Sequence, residues 1–325
     1  MEMTRRTVLV GGATAMGLAM LGKSASAQSF TKPIEIVVGQ PPGGGTDTYA
    51  RAIASALTPF LDGQAAVVVN RPGGNAVLAI ESVMSSRPDG YTLSMTSGGT
   101  AVIKRIWDGN GPDIATDMRP VATIGMYASC VVVRKDSPHQ NINSWIEEVK
   151  ASQRPVLWGH TGRGSIHHIA GQALLSEYGL PTRDVPFQGA PDARNALVNG
   201  EVEFAVFGTQ NLTGFEEQVR TIGILSTDRD PFVEGGKTII EQGVRAPLFF
   251  TPIILHAPKD TPDDVIAKLE NAVRQATESE EYKKLTGTAA LVVYFRSADE
   301  TQSWTKTATE EWRPVIEQVK QQNAG

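Results

Sequence analysis

Two glycine-rich segments hold the residues best placed to do chemistry. Pro41-Pro42-Gly43-Gly44-Gly45-Thr46-Asp47 lies between a strand-like run at 34–38 and a helix-like run at 46–60. Glycines let the backbone turn sharply and leave N–H groups uncovered, and a helix N-terminus adds a partial positive charge. That combination holds an anion, a carboxylate included, without a cationic side chain. Thr46 and Asp47 are suited to cap the same helix, so a plain tight turn with an N-cap is the competing reading. Gly159-His160-Thr161-Gly162-Arg163-Gly164-Ser165-Ile166-His167-His168 repeats the construction, with Ser165 as the expected cap. Two such loops facing each other would offer donors from both sides of a cleft. A Cβ at Gly44 or Gly164 is then expected to stand in the ligand's path.

Other chemistries fit these residues less well. His160, His167 and His168 are not spaced i, i+4 and no acidic residue is interleaved, so no metal site is expected. A Ser165 nucleophile with His168 as its base gives an exported hydrolase as the alternative function, but the Gly-x-Ser-x-Gly elbow is missing. The dinucleotide fingerprint G-x-G-x-x-G is also missing, and no cofactor is expected. The lone Cys130 excludes an internal disulfide framework and a cysteine-rich zinc site. It sits in an apolar run and reads as an inert buried thiol. Trp145, Trp304 and Trp312 fall at helical positions and read as packing residues.

The elements that must position these loops alternate, which predicts an α/β protein with mainly parallel sheets. Strands are expected at 34–38, 66–69 and 91–95, with helices at 46–60 and 76–85 between them. A second block opens near Val121. It has strands at 130–133, 156–158, 185–187, 204–207 and 222–225, and helices at 142–150, 166–178 and 190–199. A strand at 253–256 and helices at 262–278 and 301–321 close the chain. No flexible linker divides the blocks, so two lobes joined by more than one crossing are expected, lobe one at 28–125 plus 252–325 and lobe two at 126–251.

The 325 residues carry a net charge of -5. Nucleic acid is therefore an unpromising partner, because phosphate binding needs a clustered basic surface. Residues 1–27 read as an export signal: Arg5-Arg6, an apolar run at 8–21, then Ala25-Ser26-Ala27 as the cleavage site. Thr4-Arg5-Arg6-Thr7-Val8-Leu9 also resembles the twin-arginine signal, and an ordinary secretory signal is the alternative. Gly17 to Ser24 match the phosphate-loop pattern, but inside an export signal no strand precedes it and no domain surrounds it. A periplasmic location follows, and no later apolar run is long enough to span a membrane.

Taken together, the motifs resemble the extracytoplasmic solute receptors of the tripartite tricarboxylate transporter family, the Bug receptors, over nearly all of the mature chain. Pro41-Pro42-Gly43-Gly44-x-x-Asp47-x-x-Ala50-Arg51 is similar to the first ligand loop and its helix. Asn70-Arg71-Pro72-Gly73 and Pro88-Asp89-Gly90-Tyr91-Thr92-Leu93 match two framework signatures. Gly162-x-Gly164-Ser165-x-x-His168 resembles the second ligand loop. Val185-Pro186-Phe187-Gln188-Gly189, followed by Asn199-Gly200-Glu201-Val202-Glu203, resembles the third. The resemblance implies a two-lobed Venus-flytrap fold. It implies a monomeric receptor that closes on a small organic acid and delivers it to an inner-membrane permease; a ligand sensor for a signalling partner would look the same. The positions expected to line the ligand are Pro42, Gly43, Gly44, Gly45, Thr46, Asp47, His160, Thr161, Gly162, Gly164, Ser165, His168, Phe187, Gly189 and Thr209. His160-Thr161 and Phe249-Phe250-Thr251-Pro252 depart from the family pattern. His160 is accordingly expected to tune which acid binds.

Overall fold

A computed structural model describes residues 29–152 and 154–322. The export segment at 1–27, its cleavage site and the phosphate-loop pattern within it lie outside the described residues.

The chain builds two α/β units in turn. The first runs β1 (Ile34–Val38), α1 (Gly45–Leu57), β2 (Ala66–Asn70), α2 (Val77–Met84), β3 (Thr92–Ser97), α3 (Gly98–Asp108) and β4 (Met118–Tyr127). The second runs β5 (Ser129–Arg134), α4 (Ile142–Ser152), β6 (Val156–His160), α5 (Ile166–Glu177), β7 (Thr182–Pro186), α6 (Ala190–Val198), β8 (Phe204–Gly208) and β9 (Val219–Leu225). The chain then returns as β10 (Thr251–Pro258), α7 (Asp263–Glu278), α8 (Glu280–Thr288), β11 (Val292–Arg296) and α9 (Ala298–Gln322). One sheet has the order β11-β4-β10-β3-β1-β2 and the other β7-β6-β8-β5-β9.

The expectation of mainly parallel sheets needs correction, because both sheets are mixed. β1 pairs in parallel with β2 and β3, and β6 with β7 and β8, as helical crossovers require. β10, however, enters from the other sheet and runs antiparallel to β3 and β4. β5, coming straight from β4, is antiparallel to β8 and β9. A strand that arrives from the opposite sheet points against the strands that left for it.

Four elements escape the sequence reading. Ser97-Gly98-Gly99-Thr100 looks like a turn but opens α3, which is secured by the buried Val102, Ile103 and Ile106. β4 carries Pro120 and Gly125, which disguise it as a loop. Gly125 is needed because the Tyr49 ring lies on it: a Cβ there would stand 2.2 Å from Tyr49 Cε1. Val121 therefore belongs to the first sheet, and the second begins at Ser129. α8 and the short β11 are the other two.

Two apolar cores lie against single sheets. One packs α1 and α7 on the first sheet around Ile53, Leu57 and Leu269, and the other packs α6 on the second around Ala193 and Leu197. A third core is continuous between the units, joining Ile103 of α3, Trp312 and Ile316 of α9, and Trp158 and Leu174 of the second unit. Trp312 packs at 5.0 Å from Phe249 and 5.8 Å from Trp304, so the returning segment and α9 share one aromatic cluster. No helix among the described residues is long and apolar enough to cross a membrane.

Candidate functional site

A cavity of about 190 Å³ lies where the two sheets meet. Gln40, Gly45 and Thr46 line it from the start of α1, Ser97 and Thr100 from the start of α3, and Ile166 and His167 from the start of α5. Tyr127, Ala128 and Ser129 come from the β4–β5 crossing, Thr251 from the returning strand and Gln210 from the turn after β8. Three helix N-termini thus converge on one space, and no carboxylate, Lys or Arg is among its described lining residues. The first helical bond of α1 runs from Thr48 N–H to Gly44 C=O at 2.9 Å, and that of α5 from Ile169 N–H to Ser165 C=O at 3.0 Å. The N–H groups ahead of them lie outside the helical ladder and carry the positive end of the dipole.

Orphaned polar atoms gather at the same place. Gln40 Oε1, Gln210 Oε1 and the Tyr127 hydroxyl, which has Thr46 beside it, are buried without a well-formed hydrogen bond. A buried polar atom left unpaired costs about 1–3 kcal/mol, and the two glutamine oxygens are acceptors, so they call for a donor and not for an anion.

The first glycine loop reaches this cavity by its last residues. Pro42, Gly43 and Gly44 are exposed, whereas Gly45 and Thr46 line the space. Gly45 must be glycine, because a Cβ would meet the Tyr127 hydroxyl at 2.0 Å. Asp47 does not line the cavity; it ties the loop down. Its carboxylate accepts from Gly43 N–H at 2.8 Å, Arg51 Nε at 2.9 Å and Asn70 Nδ2 at 2.8 Å. Burial pulls the Asp47 carboxyl upward, but these hydrogen bonds outweigh it and hold its pKa below the usual value. The Asn70-Arg71-Pro72-Gly73 signature thus supplies a brace for the loop.

The second loop is built on two buried histidines. His160 Nδ1 accepts from Gly162 N–H at 3.2 Å and His168 Nδ1 accepts from Gly164 N–H at 3.1 Å. Ser165 N–H goes to Gly162 C=O at 3.1 Å, and Ser165 Oγ caps α5 by accepting His168 N–H at 3.2 Å. These donors are therefore already bound within the protein, and the open ones lie one step further on, at Ile166 and His167. His160 does not stand beside the cavity; it is fully buried, with Nε2 donating to Asp184 Oδ2 at 3.1 Å. The hydrogen bond from His160, opposed by burial and helped by Arg163, lowers the Asp184 pKa. Burial and then His160 push His168 down to about 3, so it is neutral near pH 7.

Of the remaining positions, Thr161 bonds His167 Nδ1 at 2.7 Å. Phe187 packs on Gly159, Gly189 precedes α6, and Thr209 is buried next to the lining residue Gln210. Ser97, Thr100, Tyr127, Ser129, His167, Gln210 and Thr251 were missed. Gln210 and His167 are the chain neighbours of the expected Thr209 and His168.

Asp184 supplies the acidic neighbour that sequence spacing hid: ligand atoms of His160, His168 and Asp184 lie within 4.8 Å of one another. The donor set does not suit a metal. Each histidine accepts a backbone N–H at Nδ1, so its proton sits on Nε2, the nitrogen a metal would need bare. Nor do Ser165 and His168 form a nucleophile and base, since Ser165 Oγ meets the backbone of His168 and not its ring. A larger cavity of about 290 Å³ lies at the far end of the second sheet. Its arginines are already paired, Arg134 with Asp136 at 3.0 Å and Arg154 with Glu203 at 2.5 Å.

Residues 49–321 match the family described as tripartite tricarboxylate transporter family receptor. The chain belongs to that family. A UPF0065 protein of Bordetella pertussis is 30% identical over 271 residues, 81% of this chain and 82% of that one. A TctC solute-binding protein from Polaromonas superposes with a TM-score of 0.77 at 22% identity, covering 89% of this chain and 99% of that one. MatC from Rhodopseudomonas palustris, solved with bound malate, gives 0.73 at 25% identity over 88% and 99%. The fold is thus the two-lobed α/β fold of periplasmic binding proteins, and the family and these neighbours are solute-binding proteins, not enzymes.

Proposed function

We propose that this chain is a periplasmic receptor that takes a small organic carboxylate into the 190 Å³ cavity and delivers it to an inner-membrane tripartite permease. One observation carries the reading: three helix N-termini face a single interlobe space whose described lining holds no cationic or acidic side chain. Partial positive charge and neutral donors suit a carboxylate, whereas a sugar needs no dipoles and an amine would be repelled by them. The malate bound by MatC supports the same ligand class. The lobes divide at about 28–125 plus 252–325 and 126–251, and one chain completes the cleft, so the receptor acts as a monomer. Export through the 1–27 signal places it in the periplasm.

A thermal-shift screen of mono-, di- and aromatic carboxylates tests the ligand class. A ligand at 100 times its Kd stabilises by about 2.7 kcal/mol, which raises the Tm by a few degrees. At least one carboxylate should do so. Shifts from amines or sugars, with none from any carboxylate, would refute the reading.

A further inference from the structure

Among the cavity's lining residues, His167 stands out as a side chain with one nitrogen fixed and one to spare. Its Nδ1 lies 2.7 Å from the Thr161 hydroxyl, and no other hydrogen bond holds the ring among the described residues. The ring borders the cavity at the start of α5, beside Gln210 with its orphaned Oε1. The opposite wall, Gly45, Thr46, Ser97 and Thr100, belongs to α1 and α3. A ligand held there by one carboxylate must still satisfy the α5 wall, where no described lining residue carries a cationic side chain.

We propose that His167 is the specificity-determining side chain of the cleft, its Nε2–H donating to an ionised oxygen at the end of the ligand nearest α5. Thr161 sets the tautomer: when its hydroxyl donates to Nδ1, the ring proton must sit on Nε2. Burial and the neighbouring His160 push His167 down to about 4, so near pH 7 the ring is a neutral donor without a charge of its own. The ligand class that follows has an acidic group at each end, since a neutral second end would leave the α5 dipole and the His167 donor without an ionised partner. The inference rests on the carboxylate-receptor reading and narrows it.

The test is calorimetric titration of succinate, glutarate and adipate, each beside its monoamide, into the wild type, His167→Leu, His167→Gln and Thr161→Val. The wild type should prefer its best diacid to the matching monoamide by about ten-fold, because hydrogen bonds to ionised acceptors are the stronger ones. His167→Leu should weaken that diacid by roughly ten- to a hundred-fold and erase the preference. His167→Gln, which restores an N–H donor, should keep most of both, and Thr161→Val should fall between. Melting curves show which variants are folded; if the Leu variant is not, the Gln and Thr161→Val results decide. A folded Leu variant with wild-type affinity and an unchanged diacid preference would overturn the inference and leave the receptor reading standing. A wild type that binds none of the three diacids would overturn the inference alone, because the receptor reading is decided by the wider carboxylate screen.

Discussion

Adjacent glycines in the first loop make different demands. Gly44 has φ of −74°, and a Cβ built on it comes no closer than 3.5 Å, to Pro41 O, so the structure offers no reason for it to resist substitution. Within the protein a Cβ at Gly44 is unopposed, and the loop lines the cavity from Gly45 onward. Gly45 has the Tyr127 hydroxyl where its Cβ would be. Gly45→Ala should therefore abolish carboxylate binding and lower the Tm, while Gly44→Ala leaves both near wild type; titration and melting of the two variants settle this. Gly164 has φ of +72° and a Cβ there would lie 3.0 Å from the Trp107 ring, so strain and crowding both exclude a side chain. His160 also changes role. Serine at 160 cannot reach both Gly162 N–H and Asp184, so the part-buried Gly162 N–H loses its acceptor and Asp184 is left with Arg163 alone among the described residues. His160→Ser should then destabilise by about 1–3 kcal/mol in all, read from urea midpoints. A variant of unchanged stability with a reordered ligand ranking would return His160 to the recognition surface. Spacing could show a histidine in a loop, but not on which side of the loop its ring lies.

Among the elements, the strand–glycine–helix units were legible because each advertises its own turn: β1 to α1, and β6 to α5. α3 was not, since its Ser97-Gly98-Gly99 start imitates a turn and its helical stability comes from packing rather than propensity. The third helix N-terminus at the cavity was lost with it. β4 was hidden by Pro120 and Gly125, so Tyr127 and Ser129 went unnoticed at the crossing. Two of the elements also carry buried neutral histidines, His168 in α5 and His256 in β10, both pushed down to about 3 by burial. Unfolding returns each toward 6.5, so the unfolded chain takes up protons first as pH falls. Stability from these groups is complete above pH 6.5 and declines below it, by about 1.4 kcal/mol per pH unit per histidine. Asp47 and Asp184, whose pKa values are lowered, hold their contribution through this range and lose it only in stronger acid, below the usual 3.8. Urea midpoints should thus fall clearly between pH 7 and pH 5, and less steeply in His256→Gln. Equal midpoints at the two pH values would show that the histidines titrate normally.

For the whole molecule, the cavity belongs to neither unit alone. Tyr127–Ser129 and Thr251 are on the segments that join the sheets, and Phe249 beside them packs on Trp312 of α9. Trp312→Ala should cost about 3–5 kcal/mol of stability, as large-to-small core changes do. It should also weaken ligand binding in chains that remain folded, because the returning segment loses its support. The central claim is that a carboxylate sits between the lobes, held by neutral donors. Its most direct test is a crystal structure of the mature chain with the tightest carboxylate from the screen. The account predicts density between Gly45–Thr46, Ser97–Thr100 and Ile166–His167, with carboxylate oxygens on backbone N–H groups and no arginine or lysine within reach. A ligand seated instead beside Arg134 and Arg154, in the larger cavity at the far end of the second sheet, would contradict it.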